Sequence, residues 1–423
     1  MLVVSAYYWP ETSGNAPYVT GLAEHLAGAG YRVTVATGFP HYPSWKSSSG
    51  GRLARHELLN GVHILRRWHY VPGQQSAIRR GLYEASLFAS GLTAAFWPPK
   101  HDVVIGVTPS LSGAALAAVT ATITRRPYGL IVQDLVARGA SQSGIPGGSR
   151  VAGMLSWLEM RLARSAGGVG VIADGFREYL TVRGVQPSRI SQLRNWSTSQ
   201  VPAEQRTDTR ARLGWGTDEF VCLHGGNMGY KQGLENLLNA AALLGGSPIR
   251  IVLAGDGSRR QQLQAEARSQ GLTNLSFLPP QAEGEYEAML QAADLLLVNQ
   301  RAQVGDMALA SKLSSYFAAG VAVLGALAAD SETGREILTA GGGELVPPDE
   351  PGQLSAAILR LADDASVRKA YGTSGKRYAE THLEPSAALL AIEEFIATVA
   401  QRGALGRGRA SAEAAQPAVP GES

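Results

Sequence analysis

Residues 221–241 read VCLHGGNMGYKQGLENLLNAA: a short apolar strand, a glycine-broken turn carrying one lysine, then a helix. That order builds an anion site. Gly225, Gly226 and Gly229 let the backbone turn tightly and approach a ligand closely, as a Cβ would not allow. The helix that follows, expected from Gly233, points free N–H groups and its positive dipole end at the same spot, and Lys231 adds a full charge. A phosphate or diphosphate is the natural occupant, held by Gly226, Asn227, Gly229 and Lys231. A plain β–α connection with a solvated lysine is the other reading of the segment. The spacing is neither GxxxxGK[ST] nor GxGxxG, so a nucleoside-triphosphatase loop and a dinucleotide fingerprint both fit poorly.

Such a turn needs a parallel sheet behind it, and the chain supplies two. In the first half LVVSA, RVTVAT, VHILRR, DVVIGV, YGLIVQ and GGVGVI alternate with helical patterns, with an irregular loop expected after RVTVAT. Apolar runs of this kind belong to parallel strands covered on both faces, which bind ligands at their carboxyl ends. The polar stretch ISQLRNWSTSQVPAEQRTDTRARLGW (190–215) breaks the rhythm, and alternation resumes with FVCLHG, IRIVLAG, LSFL, DLLLVN and VAVLGA. The fold class is therefore α/β, with two doubly wound Rossmann-like domains. The boundaries expected are 1–196 for the first domain, 197–218 for a linker and 219–384 for the second. Residues 385–402 should form a helix crossing back to the first domain, followed by a disordered tail, 403–423.

Composition narrows the function. A net charge of +3 over 423 residues is too small to imply nucleic acid. The single cysteine, Cys222, lies in an apolar strand, so a disulfide framework and a thiolate metal cluster are both excluded. The eight histidines show no ligand spacing, and no metal site is expected. The most apolar segment, 81–99, contains Glu84 and falls short of a spanning helix. The chain opens on MLVVSA, without the pattern of a secretory signal. A cytoplasmic location is expected, with peripheral contact at the inner face of the plasma membrane.

The chain resembles the retaining glycosyltransferases of family four, which have the GT-B fold, two such domains facing a central cleft. Within them it looks most like the colanic-acid and O-antigen type of exopolysaccharide enzyme. The marks are WPETSGNAPYVTGLAEHLAGAGYRVTVATGFPHYP, VIGVTPSLSG, LIVQDL, RNW, GGNMGYKQGLE, VLAGDGSRRQQL, LSFLPPQ, AADLLLV and ASKLSSYFAAG, in the family's order. The resemblance implies transfer of a sugar from a nucleoside-diphosphate sugar, UDP- or GDP-linked, with no further cofactor. Gly14, at the first β–α turn, then clears space for the diphosphate. Lys231 stabilises the charge of the departing diphosphate. Gly255, Asp256 and Gly257, in the AGDG turn, approach the base or ribose. Ser311 caps a helix and joins Lys312 in holding phosphate. Asp306 stands where an acidic residue is common in the family.

The chain also departs from the family. A ribose-binding glutamate is usual four residues after the serine, and Ser315 stands there. Thr108, Pro109 and Ser110 occupy the end of the strand where many members have a histidine. The subgroup's WPE after the aspartate of LIVQDL is missing. Asp134 itself either orients the acceptor hydroxyl or takes its proton, or else caps the next turn. The family's acceptors are lipid-linked sugars or oligosaccharides. Residues 65–91 offer a basic and aromatic surface for the membrane, built on Arg66, Arg67, Arg79 and Arg80, with His41 and Tyr42 beside it. Two other readings stay open: a non-catalytic homologue that binds nucleotide sugar, and a nucleotide-sugar 2-epimerase. A dehydrogenase is disfavoured, because SAYYWPETSGNAP lacks GxGxxG.

Overall fold

The computed structural model describes residues 1–11, 14–42, 45–73, 76–95, 100–136, 148–197, 204–282, 284–302 and 311–414. Its contacts divide the chain into one unit of Met1–Arg194 with Ala388–Ser423 and another of Asn195–Ala387.

The first unit carries β1 (Leu2–Val4), β2 (Thr34–Gly38), β3 (Ala54–Leu59), β4 (Val62–Arg67), β5 (Val104–Val107), β6 (Tyr128–Val132), β7 (Gly168–Val171) and β8 (Ile190–Gln192). Between them run α1 (Ala16–Gly28), α2 (Ala77–Ala95), α3 (Leu111–Thr124), α4 (Gly148–Ser165) and α5 (Asp174–Val182). The sheet order is β3-β4-β2-β1-β5-β6-β7-β8. Leu2 pairs with Thr34 on one side and with Val104 on the other, both in parallel register. Strand order reverses there, so the β1/β5 crevice is a topological switch point, where open α/β sheets bind ligands.

One strand corrects the sequence reading. The loop expected to be irregular after β2 contains β3, which pairs antiparallel with β4. The connection is Asn60–Gly61, with φ of 50° and 78°, as a two-residue hairpin of this dipeptide requires. β3 lies at the sheet edge and is mostly exposed. Its sequence, ARHELL, therefore lacks the apolar run that marks a buried parallel strand.

The second unit holds β9 (Phe220–Gly225), β10 (Ile249–Ala254), β11 (Leu275–Leu278), β12 (Leu295–Asn299), β13 (Val323–Ala326) and β14 (Gly343–Val346). Its helices are α6 (Arg206–Leu213), α7 (Glu235–Leu243), α8 (Arg260–Ser269), α9 (Glu285–Ala292), α10 (Lys312–Ala319), α11 (Glu332–Ala340), α12 (Pro351–Asp363) and α13 (Ala365–His382). The order β11-β10-β9-β12-β13-β14 is wholly parallel, with its switch point between β9 and β12. Each face of this sheet has its own core. Cys222 packs with Leu237, Leu253 and Leu297 on one side, and Val221 and Leu223 with Leu296, Phe317 and Ile337 on the other. The glycine turn follows β9, at the switch point itself.

Two segments of the chain differ from expectation. The stretch expected as a polar linker contains α6, held by arginines rather than by an apolar face. Arg210 donates to the carbonyls of Ala292, Gly216 and Glu219 and to Asp294, at 2.6–3.1 Å, and Arg206 bonds Asp294 at 2.6 Å. The last helix, α14 (Pro385–Ala414), runs past the expected start of the tail, in keeping with the alanines of GALGRGRASAEA. It packs on the first unit, where Gly129 and Gly168 leave room for Val399 and Phe395. Tyr31 donates to its Glu393 at 2.9 Å.

Candidate active site

In the second unit the turns after β9 and β10 are built against each other. Gly226 N–H donates to Ala254 O at 2.8 Å and Met228 N–H to Asp256 O at 2.8 Å. A Cβ on Gly255 would stand 2.0 Å from the Gly226 carbonyl oxygen, and one on Gly257 would stand 2.6 Å from Asn227 Oδ1. The structure thus joins Gly226, Asn227, Gly255, Asp256 and Gly257 in one double turn. Gly229 belongs to it too, since its Cβ position is 3.0 Å from Asn227 Nδ2. The Asp256 side chain is exposed.

Lys312, the first residue of α10, lies against this double turn. Its Nζ is 3.6 Å from where a Gly226 Cβ would be, and 3.1 Å from His224 Nε2. Burial lowers the Lys312 pKa to about 7. Among the described residues no carboxylate pairs with it. A half-buried ammonium against a glycine turn at a switch point is a site that gains from an anion. Ser311 corrects an expectation: its backbone is already helical and its side chain does not cap α10. Ser315 is half-buried on the same helix. Asp306 lies outside the described residues.

Lys231 sits on a single 3-10 turn, Tyr230–Gln232, and its side chain is exposed. The turn is braced from below. Arg301 donates its backbone N–H to Lys231 O at 3.1 Å and its Nε–H to Tyr230 O at 2.8 Å. Its guanidinium stacks on Tyr230, 4.4 Å from the ring centre. Asn299 Nδ2 donates to Gln232 O at 2.6 Å and to Gly233 O at 2.9 Å. Asn299 and Arg301 are thus supports for the lysine turn. The helix after it begins at Glu235, two residues later than expected. Glu235 takes Arg301 at 2.8 Å and is also paired with Arg259. That carboxylate already answers the helix dipole, so the anion site rests on the turn and the lysines rather than on α7.

The first unit gathers its own group at the carboxyl ends of β1, β5 and β6. Gly14 has φ of 67°, and a Cβ there would stand 3.6 Å from Tyr42 Cε1. Asn15 donates to Thr108 O at 2.9 Å, and the Thr108 hydroxyl accepts from Gln133 N–H at 3.0 Å. Burial, then Tyr7, Asp134 and Glu11, raise the Tyr42 phenol's pKa. Half-buried Asp134 is therefore an electrostatic neighbour of Tyr42. Glu11, missed by the sequence reading, ties the loop down by accepting from the backbone N–H groups of His41 (2.7 Å) and Tyr42 (2.8 Å). His41 is buried, its ring 5.5 Å from Tyr7, 4.7 Å from His69 and 5.4 Å from Tyr83. Burial lowers its pKa.

The arginine surface does not form. Arg66 is buried and donates to Glu57 at 2.7 Å, Trp9 O at 2.5 Å and Gly38 O at 3.4 Å. Arg67 is buried and donates to Thr93 at 2.8 Å and Arg66 O at 3.0 Å. Arg80 lies over Tyr83, 4.5 Å from the ring centre, and bonds Glu84 at 3.0 Å. Glu84 in turn accepts from Ser110 at 2.9 Å and Ser112 at 2.5 Å. Arg66 and Arg67, satisfied inside the fold, cannot meet a lipid surface. Arg79 alone is exposed on α2, beside Ile78 and Leu82. Replacement of Arg66 by methionine should cost about 2–3 kcal/mol, because it leaves two carbonyls without their donor and Glu57 with only the more distant Arg55, at 3.4 Å. Denaturant unfolding measures this, and a loss below about 0.5 kcal/mol would mark Arg66 as a surface residue.

Among the described residues no helix is long and apolar enough to cross a membrane, and no cluster of three or more acidic, histidine or cysteine side chains forms a metal site.

Comparisons with known proteins agree with this architecture. Residues 13–196 match the family model "Glycosyl transferase 4-like domain", and residues 205–378 match "Glycosyl transferases group 1". The chain is 29% identical over 396 residues, 91% of its length and 96% of the relative's, to WcaI of Escherichia coli (strain K12), a protein assigned by its name to colanic acid biosynthesis as a glycosyl transferase. Among solved structures it is similar to the sucrose-phosphate synthase of Thermosynechococcus elongatus, with a TM-score of 0.72 and 18% identity, covering 97% of this chain and 99% of that one. It is also similar to Anabaena HepE in complex with UDP, with a TM-score of 0.70 and 16% identity, covering 94% and 98%. The chain belongs to the group 1 glycosyltransferases with the GT-B fold.

Proposed function

We propose that this glycosyltransferase is a retaining, metal-independent enzyme. It moves a sugar from a UDP- or GDP-linked donor to a lipid-linked or saccharide acceptor in bacterial cell-surface polysaccharide synthesis. The observation that carries the reading is the double glycine turn at the β9/β12 switch point, with the Lys312 ammonium 3.6 Å from the Gly226 Cβ position. Two lysines, Lys231 and Lys312, offer the charge that a diphosphate needs. HepE, of the same fold, is seen with UDP, and WcaI carries a polysaccharide name. In the reaction the acceptor oxygen bonds to the anomeric carbon as the bond from that carbon to the diphosphate oxygen breaks. The acceptor's proton passes to the departing diphosphate on the same face of the sugar. Lys231 neutralises the charge that grows on that leaving group, and Asp134 orients the acceptor hydroxyl. Exposed Ile78 and Leu82 on α2 support contact with a lipid-borne acceptor. The test incubates the protein with labelled nucleotide sugars and lipid-linked acceptors from membrane extracts. Transfer with the donor's anomeric configuration retained supports the reading. Binding of donor without transfer to any acceptor would make the protein a non-catalytic homologue.

A further inference from the structure

His224 is a residue the transfer chemistry above does not use. It is fully buried, one residue before the end of β9. Its Nδ1 lies 3.2 Å from the Leu297 carbonyl on β12. A carbonyl can only accept, so Nδ1 carries the ring proton and Nε2 is left with a lone pair. That lone pair meets Lys312 Nζ at 3.1 Å. The ring cannot share the ammonium's charge, because burial and then Lys312 itself lower the His224 pKa well below its usual value, outweighing the carbonyls of Leu297 and Asn227.

The other titratable groups at this turn are phenols. Tyr316 of α10 donates toward Gly225 O and accepts from Gly225 N–H at 2.8 Å. Tyr286 of α9 stands with its hydroxyl 2.9 Å from the Gly225 Cβ position. Among the described residues none of the elements packed here brings a carboxylate to Lys312. Burial alone is what weakens its hold on a proton. A cation kept without a counter-charge, and aimed by a neutral ring at a glycine turn, lacks only an anion.

We propose that His224 is a positioning residue: it holds the Lys312 ammonium against the Gly225–Gly226 turn, and capture of the donor diphosphate there is coupled to uptake of one proton by Lys312. The inference rests on the reading of this turn as the diphosphate site. In the free protein Lys312 is largely neutral above about pH 7. A bound diphosphate favours the charged form and returns the pKa toward its ordinary value, so the proton comes from solvent. Affinity therefore falls by up to about tenfold per pH unit above pH 7, and is flat below about pH 6, where Lys312 is already charged.

The experiment is calorimetric titration of the full chain with UDP-glucose, UDP-N-acetylglucosamine and GDP-mannose. The diphosphates of these probes have no group titrating near neutrality. Heats in two buffers of different ionisation enthalpy give the protons taken up. The result expected is close to one proton at pH 8, almost none at pH 6, and none at either pH for Lys312→Met. His224→Leu should weaken binding about tenfold and move the pH profile to lower pH, since the ammonium loses its acceptor. His224→Gln, which places an amide oxygen near the position of Nε2, should restore both. Donor binding without proton uptake at pH 8 overturns the coupling while leaving the diphosphate reading intact. An unchanged pH profile in folded His224→Leu removes the positioning role. Failure of every probe to bind would instead sink the diphosphate reading, and this inference with it. Should His224→Leu not fold, the two-buffer comparison of wild type with Lys312→Met still decides the coupling.

Discussion

Lys231→Ala lowers turnover by about two orders of magnitude or more and leaves the fold intact. The side chain is exposed and borders no core, so little stability depends on it. Its setting, by contrast, is stiff. Arg301 and Asn299 hold the carbonyls of Tyr230, Lys231, Gln232 and Gly233, so the lysine starts from a fixed backbone. An ammonium positioned in advance stabilises the leaving diphosphate without reorganising at the moment of transfer. Steady-state assays that separate kcat from KM check the claim. A fall in kcat with the melting temperature unchanged is the result expected. Near-wild-type kcat in the folded variant would remove Lys231 from the reaction.

The second large effect is on stability. Gly255→Ala should cost about 3 kcal/mol or more in the second domain. Gly255 has φ of 133°, and an added Cβ would meet the Gly226 carbonyl oxygen at 2.0 Å. Backbone on both sides leaves no side chain to swing away, so one of the two turns must move. Gly246 is the control: its φ is 84°, but nothing lies within 4 Å of its Cβ position. Gly246→Ala should cost only about 1–2 kcal/mol, the conformational penalty alone. Denaturant unfolding of the two variants separates contact from conformation. Equal losses would mean that the turns do not touch as described.

Much of this was legible in the sequence, for a physical reason. A strand buried on both faces must be apolar throughout, so VVIGV, YGLIV and IRIVLA announce themselves and their alternation with helices gives two parallel sheets. The glycine turn after β9 was visible because only its composition permits such close packing. Polar residues were harder, because partners distant in sequence decide their burial. Arg66 and Arg67 looked like a surface patch. They are internal because the hairpin brings Glu57 to one and α2 brings Thr93 to the other. The hairpin did have a signal, the Asn60–Gly61 pair, but a polar edge strand hid it. His224 reads as one more residue of an apolar strand until Lys312, 88 positions later, comes within 3.1 Å. Glu235 had a clearer mark, an acid four residues after the turn lysine, and its pairing with Arg259 and Arg301 explains its place.

The central claim is that the turns at the β9/β12 switch point bind the diphosphate of a nucleotide sugar. A thermal-shift panel of UDP, GDP, ADP and dTDP, with and without magnesium, tests it most directly, because a ligand that binds only the folded state raises its melting temperature with occupancy. A clear rise is expected with one nucleoside diphosphate, of the same size without the metal, and a smaller rise in Lys312→Met. No rise with any of the four, at concentrations up to the millimolar range, would contradict it.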